Sequence, residues 1–380
     1  MRILYYLNFP TGGITRYTGE VLRAMPPEIE CHVICPPSTD ICVPGAMMHY
    51  QLMSSRRAGP LGRRLVFLWS QLQNPIRLMR LARAVRPDII HFGDVNHLMY
   101  RCWRTRLRAL GIPFALSVHD VTRHKAMVYQ PWEDAQLGLI YKDAAILFVH
   151  SSAQSLHLVT FAGVDPTKIV IVPCGIFCYP NAERPIDVRR QLGIPAGAHV
   201  GLFFGDVRDD KGLERLIAAV APLTDTHLIV AGRSRSRTHK SVIYYRKLAQ
   251  ALKVQARIHF VDSYIPEEMV SDYFRAADWC GLAYDRNFTS QSAVLCSAIY
   301  FETPVLVASA PTLVESAVHY GVGVAAADDS VEALTSAMLC LHSNNTRFDL
   351  GFDKYKQECT WHRNAQLTCK AYSGLRKRHG

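Results

Sequence analysis

At 380 residues, 49% of them hydrophobic and 20% charged, the chain is too long for one ordinary domain and too apolar for a disordered or fibrous protein; two domains of about 150 to 200 residues are expected. Its formal charge of +11 is uneven, with 19 Lys/Arg against 11 Asp/Glu in residues 1–180 and 24 against 21 in residues 181–380. The ILYYL after Arg2 is too short for a signal-peptide core, no uncharged run reaches the roughly 18 residues of a spanning helix, and the 11 cysteines form neither CxxC nor zinc spacing, so a reduced, cytoplasmic protein without structural zinc is expected.

In chain order, Arg2 to Leu7 reads as a buried strand, Asn8 to Gly13 as the loop that ends it, and Ile14 to Met25 as an amphipathic helix. Gly12 and Gly13 let backbone approach a ligand closely, although they lack the GxGxxG spacing of a dinucleotide site; a plain turn is the other reading. Glu30 to Cys35 is strand-like. Between Ser54 and Pro87 stand eight arginines and no acid, interleaved with Leu65, Leu68, Trp69, Leu72 and other apolar residues. This mostly helical segment can lie on anionic lipid, hold a phosphate-bearing acceptor, or dock by its apolar face, and Arg56, Arg57, Arg63 and Arg64 are the candidates for that side. Nucleic acid is not expected as a partner, because no binding motif accompanies the charge. Strands follow at Pro87 to Phe92, at Pro113 to His119, which brings His119 and Asp120 to its carboxyl end, at Ala144 to His150, and at Ile169 to Pro173.

Tyr179 to Pro195 reads as a linker, and a second α/β series begins at once: strands at His199 to Phe204, Thr226 to Gly232, Ala256 to Val261, Trp279 to Ala283 and Pro304 to Ala308, separated by helices, with a basic helix at the end of the chain. Alternating β and α elements imply parallel sheets. The expected domains are 1–178 on the acceptor side and 179–355 on the donor side, with 356–380 as a helix packing back on the first. Two such domains leave a cleft at the carboxyl ends of their strands, where ligands of open α/β sheets bind. The loop best suited to an anion is FFGDVRDDKGLERL, Phe203 to Leu216, in which Gly205 permits a tight turn, Arg208 and Lys211 supply two cations, and a helix begins after Gly212.

Together with TGGITRY (Thr11 to Tyr17), RPDIIH (Arg86 to His91), VHD (Val118 to Asp120), VHSSAQS (Val149 to Ser155), IVPCGI (Ile171 to Ile176), LIVAG (Leu228 to Gly232), IHFVDSYIPEEMVSDYFRAADW and ETPVLVA (Glu302 to Ala308), this loop makes nearly the whole chain resemble the retaining glycosyltransferases of family 4. The resemblance implies the GT-B fold, two facing Rossmann-like domains. It also implies transfer of a sugar from a UDP- or GDP-sugar to a lipid-linked or glycan acceptor, with the anomeric configuration retained and with no metal or other cofactor. On this reading Arg208 and Lys211 stabilise the departing diphosphate, Gly205, Gly12 and Gly13 lie against the donor, and His119 stands near the transferred sugar. A strand-end histidine without a role is the alternative for His119.

The chain departs from the family where two glutamates eight positions apart precede the GxPV stretch: Thr289 and Ser297 stand there, and Glu302 replaces the glycine, so a left-handed backbone at Glu302 would be strained. Some family members pair a Ser-Gly at this helix start with an arginine in the KG loop; Ser292-Ala293 with Arg208 resembles that arrangement. Ser292 is therefore expected to cap the helix, with neighbouring N–H groups toward the phosphates. Ribose contacts fall to Thr289, Ser297 or backbone, and base or sugar contacts to the loop containing Tyr264. The missing acids leave open a catalytically silent protein that binds nucleotide sugar or a partner enzyme. A sugar epimerase is disfavoured by the lack of a carboxylate pair.

Overall fold

In the computed structural model the described residues are 1–380 except 55–59, 124–125, 181–182, 235–238, 344–347 and 380, with the side chains of 60, 61, 63, 64 and 376–379 also outside the description. Arg56, Arg57 and the side chains of Arg63 and Arg64 therefore lie outside the described residues.

Short β-branched and aromatic runs bounded by Gly, Pro, Asn and Asp form two fully parallel sheets. The first comprises β1 (Arg2–Tyr6), β2 (Glu30–Cys35), β3 (Met47–Tyr50), β4 (Ile89–Phe92), β5 (Phe114–Ser117), β6 (Ile146–Val149) and β7 (Ile169–Ile171), in the spatial order β3-β2-β1-β4-β5-β6-β7. The second comprises β8 (His199–Phe204), β9 (Thr226–Ala231), β10 (Ile258–Val261), β11 (Trp279–Leu282), β12 (Val305–Val307) and β13 (Gly323–Ala325), in the order β10-β9-β8-β11-β12-β13. Each sheet is wound both ways from its first strand, so the point where strand order reverses lies beside β1 in one and β8 in the other. The expected α/β class of two Rossmann-like units, the GT-B fold, is what the chain adopts.

The chain divides into one unit of Met1–Cys174 with Thr360–Gly380 and another of Gly175–Cys359. In the first, the helices Pro60–Val85, Tyr100–Arg108 and Gln130–Asp143 pack on one sheet face around Leu78, Met79, Trp103, Leu137 and Tyr141, while Leu22 of the helix Gly13–Arg23 and Tyr372 and Leu375 of the helix Trp361–His379 join the core on the other. Tyr372 is tied into that core by polar contacts, its hydroxyl reaching Tyr5 at 3.3 Å and the His91 ring, whose other nitrogen meets Ser117 Oγ at 2.8 Å. In the second unit the two faces of the sheet bury Leu202, Ile229, Cys280, Leu295 and Val305 on one side, and Phe203, Val230, Trp279, Leu216 and Leu306 on the other. The alternation of neighbours 202/203 and 229/230 between these clusters is the period-2 pattern of strands covered on both faces.

Two elements escape the sequence pattern. The strand β3 is a short edge strand whose residues are half-buried or exposed, so no apolar run marks it. The helix Gln130–Asp143 buries Glu133 and Gln136 along with Leu137 and Ile140, and polar residues on its packed face hide its period. Both polar groups have partners: Glu133 accepts from the Val128 N–H at 2.7 Å and meets His97 Nε2 at 3.1 Å, and Gln136 Oε1 accepts from the Arg101 N–H at 3.1 Å.

Glu302 does adopt the left-handed conformation, with φ at 54°, after the helix Ala293–Tyr300, and its carboxylate pairs with Lys356. A side chain there is held against the local steric preference. Comparing Glu302→Gly with Glu302→Ala isolates that cost, since both lose the ion pair. The glycine variant is expected to be the more stable by about 1 kcal/mol in thermal or denaturant unfolding; equal stability of the two would remove the strain argument.

Candidate functional site

The site grows from the end of β8. After Phe204 the chain turns at Gly205, whose φ is +87°, and the turn is held by backbone bonds to the end of the neighbouring strand: Gly205 N–H to Ala231 O at 2.9 Å and Val207 N–H to Arg233 O at 3.1 Å. Val207 is fully buried and anchors the loop. A single 3-10 turn, Asp209–Lys211, follows, then Gly212 at φ +67°, then the helix Leu213–Val220. Neither Gly212 nor Gly232 leaves room for a side chain: a Cβ would meet the carbonyl oxygen of Ala283 or of Gly205, respectively, at 1.9 Å.

This framework sets two cations at the carboxyl edge of the sheet. Arg208 donates from Nε and Nη2 to Asp210 Oδ1 and Oδ2 at 3.0 and 2.6 Å, a two-pronged pair. Lys211 is buried; its ammonium lies over the rings of Phe203 and Tyr284 at 5.7 and 5.6 Å and donates weakly to the Phe204 carbonyl at 3.5 Å. Burial, reinforced by the positive charge of Arg208, lowers its pKa to about 8. A buried ammonium with one long hydrogen bond among the described residues is under-solvated, and an anion would relieve it.

The loop opens on a pocket of about 290 Å³ lined by Gly205, Asp206, Arg208, Lys211, Gly232, Arg233, Tyr264, Ala293 and Ser297, with Tyr179 at its rim. Ala293 opens the helix Ala293–Tyr300, whose N-cap Ser292 accepts from the Leu295 N–H at 3.4 Å as expected. Ala293 and Val294 of that first turn line the pocket, and the first N–H groups of a helix lack intrahelical partners.

Of the residues expected at a donor site, Gly205, Arg208, Lys211, Tyr264, Ala293 and Ser297 line this one pocket, while Ser292 and Thr289 are buried and are not among its lining residues. Ser297 is already engaged: it donates to the Ala293 carbonyl at 2.9 Å, so the Tyr179 hydroxyl at 2.6 Å is the donor to it. Sequence reasoning missed Arg233, whose guanidinium sits 5.7 Å from the Tyr264 ring centre. The available signal was its place directly after Gly232 at the end of β9, the strand beside β8.

Gly12, Gly13 and His119 belong to the first unit. Gly12, at φ +108°, caps the helix Gly13–Arg23, and both glycines face open space. From that helix Tyr17 packs edge-on against His119 at 4.8 Å, His150 at 5.1 Å and Trp361 at 5.4 Å, with its hydroxyl accepting from Asn364 Nδ2 at 3.0 Å. Burial, and secondarily His150, lowers the His119 pKa to about 3, so its ring is neutral, and its Nε2 has no hydrogen-bond partner among the described residues. A neutral ring can donate or accept a hydrogen bond but carries no charge at physiological pH. Among the described residues no group of three or more His, Cys, Asp or Glu is placed to hold a metal ion.

The model of Glycosyltransferase Family 4 matches residues 11–178, and that of Glycosyl transferases group 1 matches residues 186–357. A D-inositol 3-phosphate glycosyltransferase of Corynebacterium efficiens is 30% identical over 319 residues, 76% of this chain and 72% of its own length, and that of Mycobacterium bovis is 27% identical over 62% of this chain and 52% of its own. Among solved structures, the sucrose-phosphate synthase of Thermosynechococcus elongatus superposes with a TM-score of 0.75 at 19% identity, covering 99% of both chains. The Anabaena protein HepE, solved with UDP and glucose, does so with a TM-score of 0.72 at 16% identity, covering 99% of this chain and 100% of its own.

Proposed function

The chain belongs to the family 4 glycosyltransferases, which use nucleotide sugars, and from that premise we propose that it transfers a sugar from UDP or GDP with retention of the anomeric configuration and without a divalent metal. The observation that carries this reading is the buried, under-solvated Lys211 in the pocket that also holds Arg208 and the start of the helix Ala293–Tyr300. In transfer the diphosphate is the leaving group, and a cation fixed where charge develops lowers the barrier more than it strengthens ground-state binding. Lys211 and Arg208 would hold that charge, Arg208 exchanging Asp210 for phosphate, while Gly205 leaves the backbone clear for its approach. Tyr264 and Arg233 would receive the nucleoside side. With Ser297 engaged by Tyr179, it and Thr289 would contribute to ribose only indirectly, and the first-turn N–H groups at Ala293 carry the direct contact. Gly12 and Gly13 are proposed to face the donor phosphates, and His119 to hydrogen-bond the transferred sugar.

For the acceptor we propose a lipid-linked sugar or growing glycan, met by the basic first unit at a cytoplasmic, anionic membrane surface. The curated relatives are named for D-inositol 3-phosphate, a small anion, which makes that compound the first soluble acceptor to try. Turnover of a panel of UDP- and GDP-sugars, with the product anomer read by NMR and a chelator added in parallel, tests the reaction. Inversion of configuration or loss of turnover with the chelator would overturn those parts of it. Arg208→Ala is expected to lower kcat/KM by about 100-fold, the usual cost of one preorganised donor to a developing anion.

One observation favours a second reading, a silent nucleotide-sugar binder: Thr289 and Ser297 stand where the family places carboxylates. Donors that bind and raise the melting temperature but are neither hydrolysed nor transferred would establish it.

A further inference from the structure

The helix Pro60–Val85 outruns the sheet it packs on. Its carboxyl end lies beside the start of β1, where Arg2 Nη1 donates to the Val85 carbonyl at 2.7 Å. Eleven residues earlier, the fully buried Asn74 lies beside the end of β1, donating from Nδ2 to Asn8 Oδ1 at 3.1 Å while its Oδ1 accepts from the Met53 N–H at 2.8 Å. That span matches the length of β1, since a helix rises about 1.5 Å per residue and a strand about 3.3 Å. Leu65, Leu68 and Trp69 therefore stand exposed past the carboxyl edge of the sheet while Ser70 and Gln71 on the other side of the same turns are buried, and Pro75, inside the helix, interrupts its hydrogen-bond ladder at that point.

The apolar residues on the two sides of Pro75 differ in burial. After Pro75, Leu78, Met79 and Ala82 are buried in the core; before it, Leu65, Leu68 and Trp69 are 69%, 53% and 55% exposed. Eighteen residues make five helical turns of about 3.6, so Leu65 lies in line with Arg83, and Trp69 and Arg80 fall on the same side. Arg80 and Arg83 are exposed, as is Arg101 on the neighbouring helix Tyr100–Arg108, and no Asp or Glu occurs between residues 54 and 87. At the same edge, beyond β5, Val128 and Tyr129 are 68% and 64% exposed. Among the described residues this face is thus apolar at Leu65, Leu68 and Trp69 and basic behind them, at Arg80 and Arg83.

We propose that the exposed face of this helix, together with Val128 and Tyr129 at the same edge of the sheet, is a membrane-docking surface for anionic lipid. Leu65, Leu68 and Trp69 enter the boundary between headgroups and acyl chains, and Arg80, Arg83 and Arg101 meet the lipid phosphates. Charge decides for lipid over a second copy of the chain: two such faces would bring exposed arginines against one another with no acid on either helix segment to pair them. The purpose of the surface rests on the lipid-linked acceptor proposed above, but binding to lipid does not.

Flotation of the whole protein with phosphatidylcholine vesicles, with and without one part in four of phosphatidylglycerol, at physiological salt tests this. Strong co-flotation with the anionic vesicles is expected, falling about thirtyfold in Arg80→Ala/Arg83→Ala, at about 1 kcal/mol for each arginine at the surface, and by about tenfold or more in Leu65→Ser/Trp69→Ser. Donor hydrolysis, measured on the same preparations without lipid, should be unchanged in both variants. Absence of flotation, equal binding to neutral vesicles, or variants that float as well as the parent protein would overturn the proposal. So would a dimer on gel filtration that Leu65→Ser/Trp69→Ser dissolves. Hydrolysis without flotation would sink the docking surface alone, and flotation without turnover the transferase reading alone.

Discussion

Lys211→Ala is expected to lower kcat/KM by about 1000-fold or more while leaving the protein folded, the largest single effect of any side chain in the pocket. The ammonium sits over the Phe203 and Tyr284 rings with, among the described residues, only the Phe204 carbonyl, at 3.5 Å, as a hydrogen-bond acceptor. On the proposed reading a donor phosphate completes its solvation, so the interaction is worth more than an exposed lysine could supply. Removing it should not unfold the protein, because the free state bears the cost of burying it. Lys211→Met, which keeps the apolar stem, should match Lys211→Ala in activity loss; if Met retains activity, the charge is not what the site uses.

The same cation predicts a pH dependence. With its pKa lowered to about 8 from the ordinary 10.5, Lys211 is protonated below pH 8 and loses its charge as pH rises through that value. UDP or GDP affinity should therefore be fully present below about pH 8 and decline above it. The stability of the ligand-free protein should run the other way. The unfolded chain holds this proton up to a higher pH than the folded one, so the burial cost is fully present below about pH 8 and is relieved between 8 and 10.5. A nucleotide-induced rise in melting temperature that is constant from pH 7 to 10, or that vanishes in the acid direction, would contradict the assignment. The linkage reads out without turnover, so it also serves the silent reading.

Gly212→Ala is expected to damage both stability and activity, by about 2 to 4 kcal/mol in unfolding and about 100-fold in kcat/KM. At φ +67° an alanine is in the left-handed region, and its Cβ would meet the Ala283 carbonyl oxygen at 1.9 Å. The left-handed backbone alone costs about 1 to 2 kcal/mol. Relief of the clash must come from movement of rigid neighbours, since Ala283 is fully buried between β11 and Tyr284. Any such movement shifts Lys211, which is the preceding residue, and the ring of Tyr284 beneath it. A variant that kept full stability and activity would show that the close approach of loop and strand is not needed.

The strand runs, the parallel topology and the loop at Gly205 were legible because each depends on local rules: period-2 burial, glycine at left-handed positions, and cations at a helix entrance. Glu302 shows such a rule working in reverse, since the position remains left-handed at φ 54° without its glycine. The family's glycine loop, VHD and KG loop were equally visible, for they stand just after β1, β5 and β8. What local pattern could not reveal was the helix Gln130–Asp143, whose packed face carries Glu133 and Gln136 because His97 and the Arg101 backbone happen to meet them.

From the sequence alone came the two α/β series, the basic first half, and the two cations that bracket the KG loop, because these follow from residue type and spacing along the chain. Only the tertiary structure decided that Lys211 is buried against Phe203 and Tyr284, that Ser297 is engaged by Tyr179, 118 residues earlier, and that Arg233 joins the pocket. It alone showed that in the helix Pro60–Val85 Leu78, Met79 and Ala82 are buried while Leu65, Leu68 and Trp69 are exposed. Burial and pairing are set by contacts between segments far apart in the chain, and the energy of a charged or polar group depends on those contacts rather than on its neighbours in sequence.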